Sequence, residues 1–327
     1  AFLSGAGGTG KSKVIHCIID YCKQLFKNLG LQFNKRTIVV TALTGAAAVS
    51  INGETTAKAC KLNNKNVSED DEWEETIMII VDEISFASKT IIENLNENLN
   101  ILRGRPRHNK YGGLHVLFSG DFYQLKPING SAIYLLKKLD LWYKVVHTYM
   151  ELKTNHRFHT DSEHGRMLDK YRSGTFTIHD TTKYNKRCLV TPSNNTDGDL
   201  PDDIVIAVKD NLDRDAIHDA MFVKHLAKTH SKNKRYGVPK HTICILADNM
   251  EWKKKFREYS PMSQTGKDII YATCSGHHNR SLNGNKCVDP MLKLFYDCTI
   301  MVIENIDVDK KMANGAVGKF KGVSLKD

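Results

Sequence analysis

The sequence predicts an α/β fold in which a parallel sheet is covered by helices on both faces. Three observations predict it. Strand-like and helix-like runs alternate through the first half of the 327 residues. The strand-like runs are continuously apolar, as strands buried on both faces must be. Finally, polar motifs close on the carboxyl end of one run after another, which is where parallel sheets bind ligands.

The elements follow in order. Phe2–Leu3 ends a strand and runs into GAGGTGKS (5–12), then into the amphipathic stretch Val14–Phe26. RTIVVTA (36–42) is a β-branched strand, and GAAAVSI (45–51) a helix. TIMIIVDE (76–83) is a strand ending in acids, followed by the helical spacing of KTIIENLNENLNILRG (89–104). LHVLFSGD (114–121) and VVHTYMEL (145–152) read as further strands. In the second half, 162–174 and 211–228 have helical patterns, while 202–210 and 242–247 read as strands. Residues 292–305 and 316–325 alternate around the turn ANG, which suggests a small β module. No internal repeat is visible.

The glycine-rich stretch matches GxxxxGK[ST] at Gly5, Gly10, Lys11 and Ser12. In such a loop, here Gly5, Ala6, Gly7, Gly8, Thr9 and Gly10, the backbone turns so that several N–H groups point at one phosphate. The following helix adds its positive end. The lysine neutralises the β/γ oxygens and the hydroxyl binds Mg²⁺. The ligand implied is ATP with Mg²⁺. Because the loop comes so early, the chain is expected to begin inside a domain.

The length suggests two domains. At 41% hydrophobic the chain can bury proper cores, and no apolar run is long enough to span a membrane. A net charge of +10 suits a polyanionic partner. Eight cysteines without a CxxC pair fit reduced thiols and an intracellular protein. Cys274, His277, His278 and Cys287 sit close in sequence, but their spacing matches no standard zinc pattern.

Three further motifs carry candidate chemistry. Asp82, at a strand end, can hold Mg²⁺ through water, and Glu83 can serve as the base that activates water; both are equally suited to cap the following helix. In GDFYQLKP (120–127), Gln124 can contact the γ-phosphate and Asp121 the metal's water shell. Arg157, in ELKTNHRF (151–158), is placed to stabilise transition-state charge, or is a surface residue.

Taken together, GAGGTGKS (5–12), TALTGAAA (41–48), VDEIS (81–85), GDFYQL (120–125) and NHRF (155–158) resemble the ordered motifs of superfamily 1B DNA helicases of the Pif/RecD type, most of all the Pif family. MLDKYRSGTF (167–176) and 292–323 are similar to later family segments. The resemblance implies a RecA-like P-loop NTPase domain at 1–152, part of a second RecA-like domain at 153–290, and the start of an SH3-like β insertion at 291–327. It also implies that the chain stops before the family's late motifs. The activity implied is an ATP-dependent 5′→3′ DNA helicase, serving replication, repair, recombination or telomere maintenance, in the nucleus or a mitochondrion if the source is eukaryotic.

In that reading Lys11 and Ser12 bind phosphate and Mg²⁺, Asp82 holds the metal's waters and Glu83 is the base. Gln124 senses the γ-phosphate, and Arg157 is a finger from the second domain. Thr41, Thr44 and Gly45 touch the DNA backbone. The partners are single-stranded and forked duplex DNA, with a monomer expected without DNA. Three departures stand out. Ala57 occupies the place of a family histidine, where Lys58 can substitute electrostatically. Lys126 interrupts QLPP, and Phe158 follows Arg157 in place of Gln.

Single strands are held by basic grooves and stacking platforms. RGRPRHNK (103–110) and the run from Lys224 to Lys240 are candidates for the groove, or are solvated faces; Phe122 is a candidate platform, or a core residue. A degenerate or truncated helicase relative, from a mobile element or a virus, that binds nucleotide or DNA without unwinding is the alternative. An RNA motor is also open, and a P-loop kinase fits the basic charge and second half poorly.

Overall fold

The computed structural model describes residues 1–185 apart from 65, 137 and 138. Beyond these it describes 190–191, 194–195, 206–208, 211–232, 242–246, 250–253, 258–261, 291–302, 306, 312 and 315–322. By contacts the chain divides into two compact units: Ala1–Cys188 with Met301–Ala316, and Leu189–Ile300 with Val317–Asp327.

The first unit is built from β1 (Phe2–Gly5), α1 (Lys11–Asn28), β2 (Ile38–Ala42), α2 (Gly45–Ser50), β3 (Glu54–Thr55) and α3 (Thr56–Ala59). It continues with β4 (Met78–Asp82), α4 (Lys89–Leu102), β5 (His115–Gly120), α5 (Asp140–Tyr143), β6 (Tyr149–Leu152), α6 (Ser162–Ser173) and α7 (Ile178–Asn185). The six strands form one sheet in the order β3-β2-β4-β5-β1-β6. Every pairing in it is parallel, with Ile80 opposite Val40 and Leu117, and Leu3 opposite Ser119 and Met150.

Period-2 geometry divides each strand between two cores. Phe2, Val39, Ile79, Val81, Val116 and Phe118 pack on one face against Ile92, Leu95, Leu99 and Leu102 of α4. Leu3, Ile38, Ile80 and Leu117 pack on the other against Ile15 of α1 and Ala48 of α2. Ile79, Ile80 and Val81 are fully buried, each contributing about 1.5–3 kcal/mol of transfer free energy. A charged residue at 80 would strip one face and bury an unpaired charge.

Three helices of this unit, α2, α4 and α6, start where a side chain caps them. Thr44 accepts from the Ala47 N–H for α2, Ser88 from Ile91 for α4, and Asp161 from His164 for α6. Gly174, at φ 70°, stops α6 in the left-handed region that glycine favours.

Two differences from the sequence reading have clear causes. The strand expected over 145–152 is only Tyr149–Leu152, because Val145 and Val146 donate back to the Trp142 carbonyl in a turn and fold onto the core. The sequence reading also missed α7, which is polar and rich in threonine. Thr177 and Asp180 exchange hydrogen bonds at its start, and Lys170 of α6 pairs with Asp180 at 2.7 Å.

In the second unit, β7 (Val190–Thr191) pairs with β8 (Asn194–Asn195). It continues with α8 (Asn211–Lys232), β9 (Thr242–Leu246), β10 (Met250–Lys253), β11 (Glu258–Pro261), β12 (Met291–Phe295), β13 (Thr299–Met301, whose last residue is counted with the first unit) and β14 (Val317–Lys319). The pairs β9–β12 and β10–β11 are antiparallel, and β13 pairs with β14. The His225 ring stacks on Phe295 at 3.8 Å, which seats α8 on β12. Of the strand expected at 202–210, residues 206–208 carry no strand and the rest lies outside the described residues. No helix among the described residues is long and apolar enough to cross a membrane.

Candidate nucleotide site

The loop between β1 and α1 has the geometry of an anion cradle. Gly10 precedes the helix at φ 94°, no side chain caps α1, and no acid sits in its first turn, so the first N–H groups remain open to an anion. Lys11 is buried and folded back, donating from Nζ to the Gly5 carbonyl at 2.7 Å and the Ala6 carbonyl at 3.2 Å. Thr9 Oγ1 closes the turn on Ala6 at 2.8 Å. Ser12 is half-buried in the first turn of α1.

Residues 155–157 are latched onto this loop. Asn155 Nδ2 donates to the Gly7 carbonyl at 3.1 Å, and the His156 N–H donates to the Gly8 carbonyl at 2.9 Å. Gly8 has φ +89°, and a Cβ there would lie 2.4 Å from the Arg157 Cβ, so only glycine fits. Arg157 therefore belongs to the same compact unit as the loop. This corrects the expectation of a finger carried by a second domain: the latch holds it from the loop side. A Cβ built on Gly7 would meet Arg157 Nη1 at 3.4 Å and Gln124 Nε2 at 3.8 Å, so these two side chains converge over the loop.

At the end of β4, Asp82 is 3% exposed. Its Oδ1 and the Glu83 Oε2 are buried and have no hydrogen-bond partner among the described residues. Glu83 sits at φ 57°, ψ 41°, a left-handed conformation that is strained for a non-glycine residue. Burial pushes the Glu83 carboxyl above the usual carboxylate range, and Asp82 and Asp121 add to the rise; Lys11 pulls against it. Neither acid caps the helical turn that follows. One strand over, Asp121 is already engaged by protein donors. It pairs with Arg172, and it accepts from the Tyr123 N–H at 3.0 Å and from Gln124 Nε2 at 3.3 Å.

The residues proposed to touch DNA separate. Thr41 is fully buried; its hydroxyl donates to the Ile80 carbonyl at 2.8 Å and accepts from Thr56 Oγ1 at 3.1 Å, so it cannot contact a backbone outside. Gly45 is buried as the first residue of α2, which also corrects a contact there. Thr44 is half-buried and caps α2. Lys58 is exposed, 3.2 Å from Glu54. Phe122 is no platform: its ring packs among Phe2, Tyr134 and Trp142. Its neighbour Tyr123 is 74% exposed.

The basic loop 103–110 joins the end of α4 to the start of β5, so it lies at the amino ends of the strands, opposite the glycine loop. The run 224–240 lies in α8 up to 232 and otherwise outside the described residues, as do Cys274, His277, His278 and Cys287. Among the described residues no cluster of three His, Cys, Asp or Glu side chains could hold a metal.

Sequence reasoning missed Asn155 and Arg172. The only local signal for Asn155 was the Asx geometry in which its Oδ1 accepts from the Arg157 N–H at 3.0 Å. Arg172 stands 51 residues from Asp121, and no local pattern announces the pair.

A family model described as PIF1-like helicase matches residues 1–180. Among curated relatives, the ATP-dependent DNA helicase RRM3 of Saccharomyces cerevisiae is 32% identical over 140 residues, 39% of this chain and 18% of that protein. The ATP-dependent DNA helicase PIF1 of Xenopus laevis is 23% identical over 97% of this chain and 43% of its own length. The chain thus spans less than half of these relatives. The crystal structure of Candida albicans Pif1 helicase superposes with a TM-score of 0.59 at 22% identity, over 98% of this chain and 65% of that one. Bacteroides Pif1 bound to single-stranded DNA gives 0.58 at 16% identity, over 99% and 66%. The α/β fold expected from the sequence is the fold of these helicases.

Proposed function

Because this chain belongs to the PIF1-like helicase family, we propose that it is the motor region of an ATP-dependent DNA helicase that steps 5′→3′ on single-stranded DNA and opens forked duplex. The observation that carries the reading is the pair of buried carboxylate oxygens, Asp82 Oδ1 and Glu83 Oε2, which find no hydrogen-bond partner among the described residues and lie within the electrostatic reach of Lys11. Burying unpaired carboxylate oxygens is costly, and such groups are kept where a ligand completes them.

This donor set fits Mg²⁺, which Ser12 and Asp82 would hold and which would polarise the phosphoryl oxygens. The loop N–H groups and Lys11 take the triphosphate of ATP, Lys11 leaving the Gly5 and Ala6 carbonyls to do so. Glu83, whose burial raises its carboxyl above the usual carboxylate range and makes it a stronger base, is suited to accept the proton of the attacking water. Gln124 and Arg157, converging over Gly7, stand where charge develops on the transferred phosphoryl group. Thr44 and Lys58 remain as candidates for DNA contact at the same edge of the sheet.

Relatives solved with single-stranded DNA and at forked duplex DNA support the substrate class. Replication, repair, recombination and telomere maintenance are the settings in which such a motor would act. The test is ATP hydrolysis by the full-length protein with and without single-stranded DNA, together with unwinding of a 5′-tailed fork. Lys11→Ala is expected to abolish both. Nucleotide binding without unwinding by the wild type would instead favour the degenerate-relative reading.

A further inference from the structure

α6 carries a cation that the nucleotide machinery described so far does not use. Arg172 Nη1 pairs with Asp121 Oδ2, and the guanidinium lies over the Tyr123 ring, 4.5 Å from its centroid. Asp121 is 1% exposed and the Arg172 side chain 24%. The Asp121 Oδ2 that receives Arg172 also accepts Gln124 Nε2 at 3.3 Å, while Oδ1 accepts the Tyr123 N–H. One buried carboxylate therefore gathers donors from α6, from the turn after β5 and from the side chain that faces Gly7.

We propose that Arg172 is a positioning residue for Gln124, and that it sets how easily Gln124 leaves Asp121 for a phosphoryl oxygen. Arg172 and Gln124 share one oxygen. The guanidinium neutralises most of its charge, so the amide holds it through a long bond. Removing the guanidinium leaves a buried anion whose best remaining side-chain donor is Gln124 Nε2, and the amide is then locked onto Asp121. The same pair ties the state of the nucleotide site to α6, and through Lys170–Asp180 to α7. The proposal rests on the nucleotide reading above.

The experiment compares Arg172→Gln, Arg172→Lys and the double variant Asp121→Asn/Arg172→Gln in the full chain, with mant-ATP affinity and DNA-stimulated kcat as separate readouts. Arg172→Gln is expected to keep mant-ATP affinity within about threefold and to lose about 10- to 100-fold in kcat. Lysine should restore part of the loss. The double variant, which removes the anion that traps Gln124, should recover most of it. A kcat unchanged in Arg172→Gln, or a loss that Asp121→Asn does not relieve, would overturn the proposal. Should Arg172→Gln fail to fold, the double variant decides: kcat within about tenfold of wild type upholds release of Gln124, and a larger loss overturns it. A wild-type chain that binds no mant-ATP removes the nucleotide site and this proposal together, whereas binding retained with an indifferent Arg172 removes this proposal alone.

Discussion

At the end of β4, Asp82 and Glu83 keep buried oxygens with no hydrogen-bond partner among the described residues; one strand over, at the end of β5, Asp121 is equally buried and receives Arg172, Gln124 and the Tyr123 amide. The strands are adjacent and parallel, and both turn into polar exits. What differs is the partner. Among the described residues no cation pairs with the β4 acids at ion-pair distance, whereas α6 delivers one to β5. Burial alone therefore does not mark a catalytic acid. Burial with oxygens held open marks the acid kept for a ligand, and burial with a full set of donors marks the acid that shapes the site.

The largest expected effect falls on chemistry at the open pair. Glu83→Gln should lower DNA-stimulated kcat by about 10²–10⁴-fold, with mant-ATP binding retained in a titration. If Glu83 were structural, that split would not appear. Next comes folding at the closed acid. Asp121→Ala leaves Arg172 without its partner and should cost about 3–5 kcal/mol, read as a lower urea midpoint. Asp82→Asn should leave the midpoint unchanged or raise it, because an unpaired buried charge is removed. Equal losses from both substitutions would erase the distinction.

A smaller effect separates fold from DNA contact at β2. Thr41→Val should destabilise by about 1–3 kcal/mol, since the Thr56 hydroxyl and Ile80 carbonyl lose a buried partner, while leaving the salt dependence of DNA binding unchanged.

The pH response of Glu83 sharpens the contrast further. Its folded pKa is raised, so its contribution to stability is fully present below the ordinary glutamate value and is lost as pH rises through the folded value. Glu83→Gln should thus melt slightly above wild type at neutral pH, and the two melting curves should converge in acid. The smallest change is at Lys58. Lys58→Ala should alter stability by less than about 0.5 kcal/mol, and, if Lys58 meets a phosphate, should lower the salt slope of DNA binding by about one.

Much of the site was legible because its pieces are contiguous. The loop from Gly5 to Ser12 needs its glycines side by side so that the backbone can turn, and Asp82–Glu83 follow directly on the apolar run that buries them. Thr41 misled for a physical reason: a hydroxyl at the end of a strand looks the same in sequence whether it faces a ligand or pairs with Thr56. Phe122 likewise stands beside an exposed tyrosine, and only packing against Trp142 shows which of the two rings is inside.

By itself the sequence determined the parallel α/β architecture, the phosphate loop and the acids at the end of β4, because periodicity and short-range backbone geometry are written in neighbouring residues. Only the tertiary structure decided that Asn155 reaches across 148 positions to latch Arg157 over Gly7, and that Arg172 closes Asp121 while Asp82 stays open. Those choices depend on which side chains meet across the sheet top. That meeting is set by the packing of strands and helices, whose partners are distant along the chain.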